Sequence, residues 1–229
     1  MKQFQSRWSI YLVGVLTSAL MLAAVNGWLA AKPATAQKIG DNPMELYMLL
    51  NQVPSPWLAG IELSNAKLYG APLAGAQLQF ANLASAILTG ADLSGANLAS
   101  TNLGSAKLEG ANLSSANAPA TSFNSANLKS ANLSTANLQS AYFYQADLTG
   151  ADLSEASLVD ANLASSKLTG ANLSGADLTR AKLGLASLRD ADLSGATLTD
   201  AVLTDAVYTA KTVWPEGFDP VAAGSKLAE

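Results

Sequence analysis

Carboxylates, amides and hydroxyls are the chemical groups this sequence offers in quantity, and the residues that would turn them into a catalyst are missing. The chain of 229 residues has 17 acidic and 13 basic side chains, no histidine and no cysteine. Serine is abundant, but without histidine the usual serine–histidine base pair cannot be built. Without cysteine there is no thiolate nucleophile and no metal site of the Cys/His kind. No disulfide can form, so an oxidising compartment is neither required nor refused. Only 13% of residues are charged, which excludes a polyelectrolyte. What remains is chemistry of recognition: Asp and Asn recur at one fixed slot of a short repeat, as in Ala91-Asp92-Leu93-Ser94-Gly95 and Ala96-Asn97-Leu98-Ala99-Ser100. Neither a cofactor nor a metal is expected, and the chain reads as a non-enzyme.

The elements that position those side chains follow from the repeat. From Gly60 to Thr209 one five-residue phrase recurs: Ala, a polar residue, Leu, then two small residues. Its centre falls on Leu63 and on every fifth position to Tyr208, and 26 of those 30 slots hold Leu. The exceptions are Ala118, Phe123, Phe143 and Tyr208. Two residues upstream, 26 of 30 slots hold Ala, the others being Ile61, Thr101, Thr121 and Ser166. A helix advances about 100° per residue, so leucines five apart would scatter around its surface and define no buried face. Asn, Asp, Ser, Thr and Gly also favour turns over helix interiors. In an extended segment, residues two apart point the same way. Ala and Leu then face inward together, the residue between them faces out, and the last two turn a corner. Ten corner slots are Gly, which suits a turn. One such side cannot bury its Leu alone, whereas stacked coils can.

This phrase resembles the repeat of the pentapeptide-repeat family, written A(D/N)LXX, and the resemblance runs from Ile61 to about Val213. It implies an all-β fold, a right-handed parallel β-helix with four sides. A coil would then hold about 20 residues and each Leu would lie on the Leu of the next coil. At roughly 4.8 Å between coils, seven and a half coils would make a rod about 35 Å long.

The flanks divide the chain into four parts. Residues 1–36 read as a signal peptide: Lys2 and Arg7 precede an apolar run from Ile10 to Ala31, and Ala34-Thr35-Ala36 fits small-x-small cleavage before Gln37. An uncleaved apolar anchor helix is the alternative. Cleavage would leave 10 basic and 17 acidic residues and no membrane span. Residues 37–59 contain a short helix over 41–52, with Asn42 as its cap, Pro43 at its first position and Glu45 closing a capping box. Its apolar face would cover the first ring of leucines. Residues 60–213 are the β-helix. Residues 214–229 are a C-terminal cap and tail, with Trp214 and Phe218 covering the last ring and the tail from Val221 expected to be mobile. The segment Trp214 to Pro220 resembles the terminal segment of many cyanobacterial members of the family. Ala118 removes core volume that the larger Phe123 is expected to fill.

With a coil of 20 residues the outward positions fall into columns. Residues 92, 112, 132, 152, 172 and 192 are Asp, Asn, Asn, Asp, Asn, Asp. A second side carries Lys67, Lys107, Asp147 and Lys167, with Glu109, Lys129 and Arg189 beside them. A third carries Tyr142 and Tyr144 around Phe143, the candidates for an interaction anchor. The expected function is a non-enzymatic exported rod that binds a protein partner along one face. The alternative is an acidic nucleic-acid mimic, because some family members inhibit DNA gyrase by presenting a duplex-like rod. Lysine interrupts one face and the acids are sparse, so no nucleic-acid role is expected. A wall- or carbohydrate-binding surface would need more exposed aromatics. The resemblance to cyanobacterial members, in which one export signal serves both compartments, implies the thylakoid lumen or the periplasm. Capped ends are expected to make the chain a monomer, the alternative being end-to-end dimers through a terminal segment.

Overall fold

The computed structural model describes residues 58–228. The sequence-predicted signal peptide (1–36) and the capping helix with Asn42 and Glu45 lie outside the described residues. Among the described residues there is no helix, and the architecture is a four-sided parallel β-helix.

The coil length follows from the hydrogen bonding. The outward residue of each phrase pairs in parallel with the one 20 positions later: Glu62 with Asn82, Lys67 with Ile87, Asp92 with Asn112, and so on to Ser187 with Val207. Each side is so short that a single residue pair bridges adjacent coils. Before the last coil, the centre and corner N–H groups of each phrase go to defined acceptors. The N–H of Asn132 donates to the Ala111 carbonyl at 2.9 Å, and that of Leu133 donates to the Asp152 carbonyl at 2.6 Å. The corner residue Thr135 donates to Ser154 at 2.8 Å, and the Ala136 N–H closes a four-residue turn onto the Leu133 carbonyl at 3.1 Å.

The one N–H this leaves, on the residue after Leu, is met by the side chain of the outward residue where that residue is Asp or Asn. Oδ1 of Asn132 accepts from the Ser134 N–H at 3.0 Å, and Oδ1 of Asp92 accepts from that of Ser94 at 3.0 Å. The Asp/Asn slot is therefore part of the corner itself. Where Pro119 occupies the position after the centre there is no N–H to satisfy, and Oδ1 of Asn117 accepts instead from Nδ2 of Asn137 at 2.9 Å.

Each corner places its last residue in the left-handed region. All 30 such positions from Gly60 to Asp205 have φ between 53° and 67°, and 20 of them are not glycine. A left-handed turn suits Gly; here Ser, Asp and even Phe80 and Leu185 accept it. The ladders on both sides hold these residues in place.

The core is the leucine stack with its alanine margins. From Leu73 to Leu193 every centre is at most 1% exposed. Phe123 and Phe143, one coil apart, stack with ring centroids 4.8 Å apart and planes inclined by 6°. The three polar residues in alanine slots are buried and satisfied. The Thr101 and Thr121 hydroxyls donate to the Leu78 and Leu98 carbonyls of the coil before, at 2.7 and 2.6 Å, and that of Ser166 to Leu163 at 2.7 Å.

The end departs from the expected layout. After Tyr208 the corner is one residue longer, so Asp192 pairs with Val213, 21 positions on. Thr212 takes the alanine slot, its hydroxyl donating to the Leu188 carbonyl at 2.8 Å, and Trp214 falls where a centre would. The segment expected to be a mobile tail folds back instead. Strand β1 (Val207–Tyr208) pairs in parallel with strand β2 (Lys226–Leu227). Asp205 is ion-paired to Lys226 at 2.6 Å. Backbone bonds and one ion pair outweigh the ordering entropy that argued for mobility.

Candidate functional site

Because no chemistry is concentrated in one pocket, the candidate site is a choice among walls. Among the described residues no group of acidic side chains is placed to hold a metal ion.

The Asp/Asn wall, residues 92 to 192, is committed to the backbone. Each of its six side chains accepts from the N–H two residues on, at Ser94, Ser114, Ser134, Ser154, Ser174 and Ser194. Nδ2 of Asn112 also donates to Asp92 at 3.1 Å, and Nδ2 of Asn172 to Asp152 at 3.0 Å. The bond from Ser94, helped by Asn112, holds the Asp92 carboxyl below the ordinary aspartate value.

On the mixed-charge wall Asp147 sits between Lys129 at 3.5 Å and Lys167 at 3.7 Å. Partial burial pushes its carboxyl up, but the Thr149 bonds and the two lysines outweigh that and hold it below the usual value. Lys67, Lys107 and Arg189 make no ion pair among the described residues. At the corner one side away, Arg180 grips Asp160 with two bonds, from Nε at 2.7 Å and from Nη2 at 2.6 Å.

Tyr142 and Tyr144 stand out from the wall at 47% and 45% exposure, on either side of fully buried Phe143. Tyr142 bridges Ser122 and Asn162 on the coils above and below, and the Tyr144 N–H donates to Oδ1 of Asn124 at 3.0 Å. The structure thus mounts the Tyr142 ring on a strand position and the Tyr144 ring on the corner that follows, on either side of the inward Phe143 of the Phe123–Phe143 stack. At the C-terminal end Trp214 meets Tyr208 edge-on at 5.5 Å and Phe218 face-on at 5.2 Å, and both Trp214 and Phe218 pack against the core. The charge columns were legible from spacing alone. The placement of Trp214 in a centre slot was not, because it depends on the longer corner after Tyr208.

A parallel solenoid of this kind, with a leucine core and polar outer columns, is a repeat scaffold. The profile described as pentapeptide repeats matches in eight copies, over residues 76–114, 120–155, 146–184, 156–195 and 186–207. The chain belongs to the pentapeptide-repeat family. Among solved structures it is similar to a pentapeptide-repeat protein of Nostoc, at 38% identity over 47% of this chain and 84% of that one, with a TM-score of 0.33. It is similar to HetL of Nostoc, described as involved in the regulation of heterocyst differentiation. The identity is 32% over 72% of this chain and 91% of HetL, with a TM-score of 0.24. A pentapeptide-repeat protein of the Arabidopsis thaliana thylakoid lumen shares 25% identity over 45% of this chain and 66% of its own, with a TM-score of 0.24. No curated protein matches the chain.

Proposed function

We propose that the chain is a non-enzymatic exported scaffold that binds a protein partner through the wall bearing Tyr142 and Tyr144. The observation that carries this reading is the rigid mount. Two half-exposed tyrosines flank a buried aromatic stack, Tyr142 on a strand position bridged to the coils on both sides and Tyr144 on the next corner, tied to Asn124 of the coil before. Tyrosine offers large contact area with few rotatable bonds, and a fixed backbone lowers the ordering cost further. The absence of histidine and cysteine supports a non-catalytic role.

Export rests on Lys2, Arg7, the apolar run and Ala34-Thr35-Ala36. It is read as delivery to the thylakoid lumen or the periplasm. Among the described residues no helix is long and apolar enough to cross a membrane. The capping role of Trp214 and Phe218 belongs to the same reading: they pack on the last coil and keep the scaffold monomeric. Against a nucleic-acid mimic stands the wall with Lys67, Lys107, Lys129, Lys167 and Arg189, which would repel a protein that binds DNA.

The test is capture of partners by the mature protein from membrane and soluble fractions, beside the double variant Y142A/Y144A. A partner retained by the parent and lost by the variant, with unchanged circular dichroism, is the expected result. Equal capture by both would remove the tyrosine wall from the account.

A further inference from the structure

In every finished repeat the centre and corner N–H groups donate to the next coil, and the alanine carbonyl accepts from it. Leu173 N–H donates to the Asp192 carbonyl at 2.6 Å, Gly175 N–H to Ser194 at 2.8 Å, and Asp192 N–H to the Ala171 carbonyl at 3.0 Å. One coil later this pattern stops. The N–H groups of Gly195, Leu198 and Asp200 find no acceptor among the described residues, and the carbonyls of Ala196 and Ala201 find no donor; Leu203 is 1% exposed and belongs to the core, not to the open edge. The cause is the path of the chain. The longer corner before Val213 and the turn at Pro215–Gly217 carry it off the ladder, and it rejoins only where Asp205 N–H meets the Gly224 carbonyl at 2.9 Å. Between the abandoned edge and the departing segment lies an open groove of about 320 Å³, lined by Ala196, Leu198, Thr199, Pro215, Glu216 and Phe218 together with Gly217.

We propose that this open edge takes an extended segment of a partner protein as an added parallel strand, apolar in the groove and carrying a lysine or arginine beside it. Three observations fix the chemistry of the occupant. First, on the side of Thr197 the unmet Ala196 carbonyl and the Leu198 and Asp200 N–H groups keep the spacing of the β-ladder, so a peptide backbone running along that side meets them in register. Second, this end already accepts a parallel strand: Lys226 N–H donates to the Ala206 carbonyl at 2.7 Å, and Ala228 N–H to Tyr208 at 2.8 Å. An incoming strand continues that arrangement along the neighbouring side. Third, the groove is walled by Leu198, Pro215 and Phe218 and rimmed by acids. Glu216 lines it, Asp200 adjoins it, and neither makes an ion pair among the described residues. Long unprotected edges are normally blunted by charge, proline or a covering segment; here the next outward residue, Val202, is apolar and 49% exposed. The site is separate from the tyrosine wall and does not depend on it.

Amide hydrogen exchange on the full chain tests this. The probes are a synthetic heptapeptide of alternating valine and alanine with a lysine at each end, the same peptide with glutamate ends, and the lysine peptide N-methylated on alternate amides. In the free protein the amides of Leu198 and Asp200 exchange at least tenfold faster than those of Leu178 and Arg180, one coil earlier. The lysine peptide slows the first set tenfold or more, the glutamate peptide acts at ten times higher concentration or not at all, and N-methylation abolishes the effect. The double variant D200K/E216K reverses the preference between lysine and glutamate ends. Slow exchange in the free chain would mean the edge is covered and would overturn the proposal, as would failure of the lysine peptide to protect it. Protection that rises with protein concentration alone would give the edge to a second copy instead of a partner peptide.

Discussion

Replacing Leu133 and its neighbour Asn132, one at a time, separates the two things a pentapeptide does. Leu133 is fully buried, with Leu113 and Leu153 at the equivalent centres of the coils on either side. Truncating a buried Leu to Ala costs about 2.7–5 kcal/mol, the spread reflecting how far the site can collapse. Collapse is hindered here, because the strand carrying Leu133 is bonded to the coil on each side, at 2.9 Å through Asn132 N–H and at 2.6 Å through Leu133 N–H. The expected loss for Leu133→Ala is therefore in the upper half of that range, about 4 kcal/mol. Asn132 faces outward, which alone would make it nearly neutral. Its Oδ1, however, accepts from both the Ser134 N–H at 3.0 Å and the Ser134 hydroxyl at 2.7 Å. Loss of such a local cap costs about 1 kcal/mol. Asn132→Asp keeps the acceptor and should cost less than Asn132→Ala. Urea unfolding followed by circular dichroism reads all three. Equal losses at Leu133 and Asn132 would refute the inward and outward assignment. No loss at Asn132→Ala would show that water replaces the side-chain acceptor and that the Asp/Asn slot is not a corner device.

Thr121→Val should cost about 1 kcal/mol in the same assay, because it removes the buried hydroxyl that donates to the Leu98 carbonyl at 2.6 Å. Leu185→Gly should stabilise by up to about 1 kcal/mol: it relieves a left-handed corner at φ 61° and removes a side chain 65% exposed, offset in part by glycine's unfolded-state entropy. The Asp92 carboxyl is held below its ordinary value by the bond from Ser94, so its contribution is present above the unfolded value, near pH 4, and is lost as pH falls through the lower folded one. Asp92→Asn keeps the acceptor, so acid titration of thermal stability should show a smaller loss below pH 4 in the variant than in the parent. Removal of residues from Trp214 onward should convert a monomer to higher-order species by light scattering; a stable dimer of the intact mature chain that dissociates on truncation would make this segment an interface.

The register of the solenoid could be read directly because a period of five with Leu at its centre is incompatible with a helix and has one extended solution. The reason Asp and Asn fill the slot before Leu could not be read that way, since a side chain that faces water gives no sign that it also bonds the N–H two residues on. Gly70, Gly90 and Gly150 announced the corners, whereas Phe80 and Leu185 hid the same left-handed geometry beneath residues that rarely adopt it. The largest departure is at the C-terminal end. One extra residue between Tyr208 and Val213 shifts the ladder, puts Trp214 in a centre slot and frees the edge from Gly195 to Asp200. A segment with no repeat pattern, Val221 to Ala228, then pairs through its backbone, which composition does not report.

The four-sided coil of 20 residues is tested most directly by distances along one column. The chain has no cysteine, so pairs of cysteines can be introduced and spin-labelled without background. Labels at positions 92 and 172, 92 and 192, and 72 and 192 span four, five and six coils of the Pro72–Asp192 column. Double electron–electron resonance should give about 19, 24 and 29 Å, rising by roughly 4.8 Å for each 20 residues. Distances that fail to rise in that step, or a separation for the 72/192 pair far from six coil spacings, would contradict the fold on which every wall, corner and edge described above depends.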